Sequence, residues 1–374
     1  MKANIYLKKS LGVLALSISS MAISSNAVAQ DQVGQMMKAG VADAGKLVDA
    51  YMSPLMKGFG AGLNGGWYNT AKPHGLGRFD LTLSFNAAFV PDEDKIFNAA
   101  NLGFSQLRIK AGTGPNAATV SGEESLAGNA VYELYAANPV AGRPDILVTE
   151  FASPQGTGLP YSGAPTAQLA VGLVKNTEVM VRYMPTISLG ESGDVGLFGF
   201  GVKHDIKQWI PVVDKLPFDL SAYFGYTKFN LDKSIELAPE SGKPNKTGNT
   251  ITDFSNQSLN VETKATTFGL LLSKKVAILT VYSGLNYQTS TSTLAMNGNY
   301  PITELETRAG DPNFGNEVIN GYANPVKFDV EGANGFTGTL GARLKLLIFT
   351  LNGAYTFGQY PYASLGLGIN VDLK

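Results

Sequence analysis

Residues 78–90, RFDLTLSFNAAFV, alternate apolar and polar side chains almost without a break. Phe79, Leu81, Leu83, Phe85, Ala87 and Phe89 fall on one side, and Arg78, Asp80, Thr82, Ser84 and Asn86 on the other. A period of two belongs to a strand with one apolar and one polar face. It leaves open which face is inside. In a water-soluble sandwich the apolar face packs on a core, whereas in a barrel spanning a membrane it meets lipid and the polar face lines the lumen.

The start of the chain bears on that choice. Lys2, Lys8 and Lys9 precede an apolar run, LGVLALSISSMAI (11–23), too short to span a bilayer. Ala27-Val28-Ala29 then offers a small-residue cleavage site, so residues 1–29 read as a secretory signal peptide. No later apolar run reaches the length of a transmembrane helix. Export without a helical anchor leaves a periplasmic protein, a secreted protein, or a barrel in the outer membrane of a Gram-negative cell.

Charged residues make up only 16% of the chain, against roughly 25% in ordinary globular proteins. A water-facing surface needs charge, and a lipid-facing wall does not. There are 43 glycines and no cysteine, which excludes disulfides and a lipidated cysteine. The net charge is −1 and no basic block is present, so nothing points to nucleic acid.

Residues 31–57 carry the helical period, with Val33, Met37, Val41, Ala44, Val48, Tyr51 and Leu55 recurring at three- or four-residue steps. Pro54 is expected to kink or end this helix. It reads either as a cap on a barrel mouth or as a plug in the lumen. Period-two segments follow near 59–70, 78–90, 102–111, 129–137, 144–151, 166–174, 178–188, 193–204, 217–230, 258–272, 276–290, 335–344, 348–358 and 362–373. Alternation is poor at 102–111, 129–137 and 144–151, and VKFDV (326–330) reads as an extra extended piece. The expected architecture is therefore all-β: a transmembrane barrel of about 14 antiparallel strands over 58–374, with an N-terminal helical hatch or plug at 30–57. Tracing back from a periplasmic C-terminus puts the tight turns 175–177, 273–275 and 345–347, and the link 205–216, on one side. The long stretches 112–128, 152–165, 231–257 and 291–334 fall on the other, the sorting seen in outer-membrane barrels.

The same alternation aims Arg182, Tyr223, Tyr282, Asn286, Gln288, Arg343 and Asn352 into the lumen, together with Arg78 and Asp80. Lys203 and Asp219 also face in, near enough to pair. These charges read as a bracing network, with mid-depth Arg182 the alternative anchor for a ligand carboxylate. The two histidines, His74 in an external turn and His204 at a periplasmic strand end, form no metal-ligand cluster with cysteine or acids. A barrel hydrolase would need a His–Ser pair, and no metal, cofactor or catalytic set is expected. Gly60-Ala61-Gly62-Leu63-Asn64-Gly65 follows a helix rather than opening one, so it is no dinucleotide site. Its glycines instead suit close passage of the backbone.

Two stretches, GLNGGWYNTAKPHGLGRFDLT (62–82) and GVKHDIKQWIP with LPFDLSAYFGYTKF (201–229), resemble a family of uncharacterised Gram-negative outer-membrane barrels. The second is also similar to the long-chain fatty acid transporter (FadL-like) superfamily. That resemblance implies a hatch in the lumen and passive uptake of hydrophobic small molecules. The Asn-Pro-Ala hatch signature is absent, and the chain ends Asp372-Leu373-Lys374 rather than on an aromatic residue. On this reading Met36, Met37, Tyr51, Met52 and Met56 give an adaptable apolar ligand surface, joined by Arg182, Tyr223 and Tyr282 in the lumen. The expected partners are outer-membrane lipids, a hydrophobic ligand and the barrel assembly machinery. The rival reading is a structural or interaction barrel whose loops 231–257 and 291–334 bind a partner, favoured if side chains pack the lumen shut.

Overall fold

The computed structural model describes residues 41–138, 140 and 142–372. Among the described residues the helix α1 (Val41–Leu63) precedes β1 (Arg78–Phe89). Five short strands follow: β2 (Ile96–Asn98), β3 (Leu107–Ile109), β4 (Asn116–Ala118), β5 (Val131–Ala136) and β6 (Ile146–Ala152). Next come β7 (Tyr161–Leu173), β8 (Thr177–Ser188), β9 (Asp194–Asp205), β10 (Asp219–Ile235), β11 (Gln257–Val276) and β12 (Leu279–Asn297). After β13 (Asn299–Leu305), β14 (Glu317–Ala323) and β15 (Lys327–Glu331), the chain ends with β16 (Gly335–Leu346), β17 (Phe349–Phe357) and β18 (Tyr362–Asp372).

Ten of these strands close into an antiparallel ring, in the order β11, β10, β9, β8, β7, β1, β18, β17, β16, β12 and back to β11. The first and last strands meet, from Arg78 opposite Asp372 to Ala88 opposite Tyr362. The apolar face of β1 points out, with Leu81, Leu83 and Phe89 exposed, and Asp80, Thr82, Ser84 and Asn86 are buried inside. Phe198, Phe200, Phe268, Leu285, Leu340, Leu351, Leu365 and Leu367 continue the outer belt. This inversion of an ordinary protein's faces is that of a wall bathed in lipid.

The ring has ten strands, not fourteen. The expected strand at 59–70 is the last turn of α1 and the lumenal segment after it. The segments at 102–111, 129–137 and 144–151 do hold extended chain, but β3, β5 and β6 form a separate small sheet above the barrel. Strands of three to seven residues cannot cross a bilayer, which takes about 9–11. VKFDV does form a strand, β15, which lengthens the wall by pairing with the upper part of β12.

At one end the strands are joined by the loops 174–176, 277–278 and 347–348 and the link 206–218. Ala277 and Leu347 open the two-residue loops at positive φ, as tight hairpins of this hand require. The connections 90–160, 236–256 and 298–334 gather at the opposite end, where they fold into a head.

α1 runs on past Pro54 to Leu63, because both halves are held by packing. Its upper half buries Ala44, Leu47, Val48, Tyr51 and Met56 against Leu107, Tyr132, Phe151, Tyr300, Ile302 and Val330 of the head. Large side chains buried this way stabilise by roughly 1.5–3 kcal/mol each, enough to override one proline's missing N–H. The lower half enters the lumen, where Gly62 passes so close to β7 that a Cβ there would stand 3.1 Å from that of Ala164.

Candidate functional site

A continuous stretch of chain runs down the lumen. It begins at the head with α1 and continues as residues 64–77, which descend to the turn end before the chain reverses into β1. The helix N-terminus is therefore at the loop end, not on the periplasmic side where a fourteen-strand count would return it. The upper joint is made by Asp43, whose carboxylate accepts from the backbone N–H groups of Ser105 (2.9 Å), Gln106 (2.7 Å) and Leu107 (3.1 Å) and from the Ser105 hydroxyl (2.9 Å).

Burial pushes the Asp43 carboxyl up, but the N–H groups of Gln106, Ser105 and Leu107 outweigh it and leave the group below its usual value. A depressed carboxylate contributes stability that is present above its unfolded pKa and is lost as pH falls through the folded one. Asp43→Asn is therefore expected to loosen the head on α1 at neutral pH, by on the order of 1 kcal/mol, with the difference from wild type vanishing in strong acid. Amide exchange at residues 105–107, measured across pH, checks this. A loss that persists in strong acid would count against it. In the head's other arm, Arg308 beside Glu306 holds that carboxyl down to about 2.

Below Leu63 the plug is latched by Arg182, which is 0% exposed. Its Nη1 donates to the Leu63 carbonyl (2.8 Å), Nη2 to the Gly65 carbonyl (2.7 Å) and Nε to Gln168 Oε1 (3.0 Å). The carbonyls left open by a helix C-terminus carry partial negative charge, so a guanidinium fits there without a carboxylate. Its Cζ also lies 3.7 Å from the centre of the Trp67 ring. Trp67 reaches this position because Gly201 and Gly225 leave room on the wall. A Cβ on Gly225 would come within 2.4 Å of the indole.

Tyr68 comes next, its ring centre 4.8 Å from that of Tyr223 and 5.9 Å from that of Tyr282. The hydroxyls of Tyr68 and Tyr223 both donate to Asn286 Oδ1, at 3.1 and 3.0 Å. Lower still is a buried ionic cluster. Lys203 and Glu178, opposite each other on β9 and β8, are 3.0 Å apart. Glu178 accepts from the His74 backbone N–H (2.8 Å), and its Oε2 is 2.6 Å from His74 Nδ1. His74 Nε2 meets Asn370 Nδ2 at 2.7 Å, and Arg343 pairs with Asp80 at 2.9 Å.

The sequence-predicted residues thus divide into groups. Arg182, Tyr223, Tyr282, Asp80, Lys203 and Arg343 all face the lumen and touch the plug or its ionic cluster. Tyr51, Met52 and Met56 pack into the head cluster at the loop end, and Met36 and Met37 lie outside the described residues. Arg78 shares the inward phase of β1 but is exposed, because it stands at the rim where the wall ends. Lys203 pairs with Glu178, not Asp219, which is half-buried and within 3.4 Å of Ser273 Oγ. His74 is at the turn end, not in an external turn, since 59–70 adds no strand and the direction of the following chain reverses. Glu178 and Trp67 were missed. The register of the short β8–β9 hairpin, which sets 178 against 203, was the available signal for Glu178.

Two cavities beside the plug each offer about 10 Å³, the room of one water. One is lined by His74, Asp80, Gln168, Glu178 and Lys203, the other by Asn64, Tyr68, Tyr282, Asn352 and Tyr362.

A closed antiparallel ring with an apolar exterior and a polar, filled interior is an outer-membrane β-barrel. Over residues 7–371 the chain matches the model of a family of unknown function, DUF6588, and it belongs to that family. No curated protein matches it. Among solved structures it is similar to the translocator domain of the autotransporter NalP from Neisseria meningitidis, at 12% identity and TM-score 0.28, covering 80% of this chain and 90% of that one. Ail, the attachment invasion locus protein of Yersinia pestis, is 7% identical with TM-score 0.23, covering 79% and 97%. A Pseudomonas aeruginosa FadL homologue is 11% identical with TM-score 0.23, covering 85% and 98%.

Proposed function

We propose that this protein is a plugged, non-transporting outer-membrane barrel that works through the head at its loop end. The observation that carries this reading is the filled bore. Helix α1 and residues 64–77 occupy it from end to end, tied to the wall by Arg182 and the Glu178–His74 pair, beside cavities the size of one water. The head is a folded layer with its own hairpin β13–β14 and its own apolar cluster around Tyr132 and Tyr300. Loops built this way suit binding a partner at the cell surface. Export by a cleaved leader at 1–29 and insertion by the barrel assembly machinery belong to the same reading.

FadL-like uptake of fatty acids or similar hydrophobic molecules is the rival use of the fold. It requires the plug to leave a lumen lined mainly by polar groups. The two separate in a cysteine-free chain by cross-linking. A Cβ on Gly58 would stand 3.1 Å from that of Ser162 on β7, so a shift of a few tenths of an ångström brings the pair to the spacing of a disulfide. The Gly58→Cys/Ser162→Cys protein is expected to oxidise readily and to show the same background uptake of a fluorescent fatty acid in liposomes, locked or reduced. Uptake by the reduced form that stops on oxidation would establish hatch-gated transport instead.

A further inference from the structure

Turns that face water are ordinarily polar, yet the turn end of this barrel is tipped with bare apolar side chains. Leu347 is 90% exposed at its hairpin tip, and Val174 and Ile278 stand out in the same way on theirs. The link 206–218 adds Trp209, 62% exposed, and Val212, 75% exposed. Val212 also holds φ at +78°, a conformation costly for a β-branched residue. The Trp209 indole N–H donates to His204 Nε2 at 2.8 Å, so the ring is fixed with its polar edge satisfied.

Lysines surround these tips: Lys72, Lys175, Lys215, Lys274 and Lys275 are all exposed. Asp214 is the one exposed carboxylate at this end among the described side chains. The apolar tips run without a break into the lipid-facing belt through Leu173, Val202, Leu272 and Leu344. Bare aliphatic and indole groups ringed by cations, continuous with a lipid surface, fit a layer of anionic phospholipid headgroups.

We propose that the turn end is a binding surface for anionic phospholipid, with the link 206–218 lying in the headgroup layer. Short turns face the periplasm in outer-membrane barrels, so the layer is the inner leaflet. The inference rests on the membrane barrel and is independent of what the head binds. The lysines hold phosphate charges while Trp209, Val212 and Leu347 enter the boundary with the acyl chains. A single lysine near such a surface favours binding by about fivefold at low salt.

The chain has two tryptophans, Trp67 in the lumen and Trp209 on the link. In a Trp67→Phe protein the emission reports Trp209 alone. If that variant does not fold, the difference between wild type and Trp209→Phe gives the same readout. The protein is reconstituted into phosphatidylcholine vesicles, with and without phosphatidylglycerol, carrying lipids brominated near the headgroup. The expected result is a blue-shifted Trp209 emission that is lost to the brominated lipid. The loss should be larger with phosphatidylglycerol, and Lys274→Gln/Lys275→Gln should reduce that difference. A Trp209 that stays water-like and unquenched in both vesicles overturns the proposal. Quenching that is equal in both overturns the anionic preference. Shielding of Trp209 by a periplasmic extract but not by lipid would assign the surface to a protein and overturn it as well.

Discussion

Arg182→Met is expected to open the barrel. The substitution roughly keeps the length of the side chain and removes every donor, so the carbonyls of Leu63 and Gly65 lose the groups that hold them. Leaving a buried acceptor unmet costs about 1–3 kcal/mol, and loss of the guanidinium over Trp67 adds up to about 2 kcal/mol. Together these come to about 1–5 kcal/mol, a large share of the attachment of the plug's middle to the wall. In a planar bilayer the wild-type protein should be silent and the Arg182→Met protein should conduct, with a lower melting temperature in detergent. Arg182→Lys should fall between, because an ammonium keeps the charge but cannot span both carbonyls in one plane. Unchanged conductance and melting in Arg182→Met would mean that the plug is held by its ends alone.

The second large effect is expected at Glu178. Its carboxylate answers the buried Lys203 and receives the His74 backbone N–H, so it joins wall to wall and wall to plug. Glu178→Gln strands an ammonium ion inside the barrel, a change that costs about 3–5 kcal/mol when one member of a buried pair is removed. Replacing both members, Glu178→Gln with Lys203→Met, removes the stranded charge and should recover most of the loss. The double-mutant cycle, measured by denaturant unfolding in detergent micelles, gives the coupling directly. Additive losses would show that the two groups do not depend on each other. The two experiments together separate the middle latch from the lower one.

These two latches also show what could be read in advance. The inward aim of Arg182, Lys203, Asp80 and Arg343 follows from alternation within single strands, and the structure places all four inside. Their partners do not follow from it. Arg343 and Asp80 are 263 residues apart in sequence and meet only because closure sets β1 beside β18, with β18 and β17 alone between them. The pairing of Lys203 with Asp219 assumed that nearness at one end of neighbouring strands was enough. The β8–β9 register instead puts Glu178 directly opposite the lysine. Trp67 and His74 were hidden for another reason. Residues 59–70 carry enough apolar and glycine residues to imitate a strand, but they follow a helix that packing carries past Pro54.

By itself the sequence determined which face of each wall strand meets lipid, that tight turns fall at one end, and that the long connections gather at the other, though the turn expected at 273–275 lies within β11 and the chain reverses at 277–278. Those features depend on the two-residue period and on local turn chemistry, which act over a few neighbouring residues. Only the tertiary structure decided that ten strands close the ring, that β3, β5 and β6 belong to the head, and that the helix enters from the loop end. Closure depends on hydrogen bonds between segments far apart in the chain, such as β1 with β18. A buried charge likewise takes whichever partner that closure brings to it.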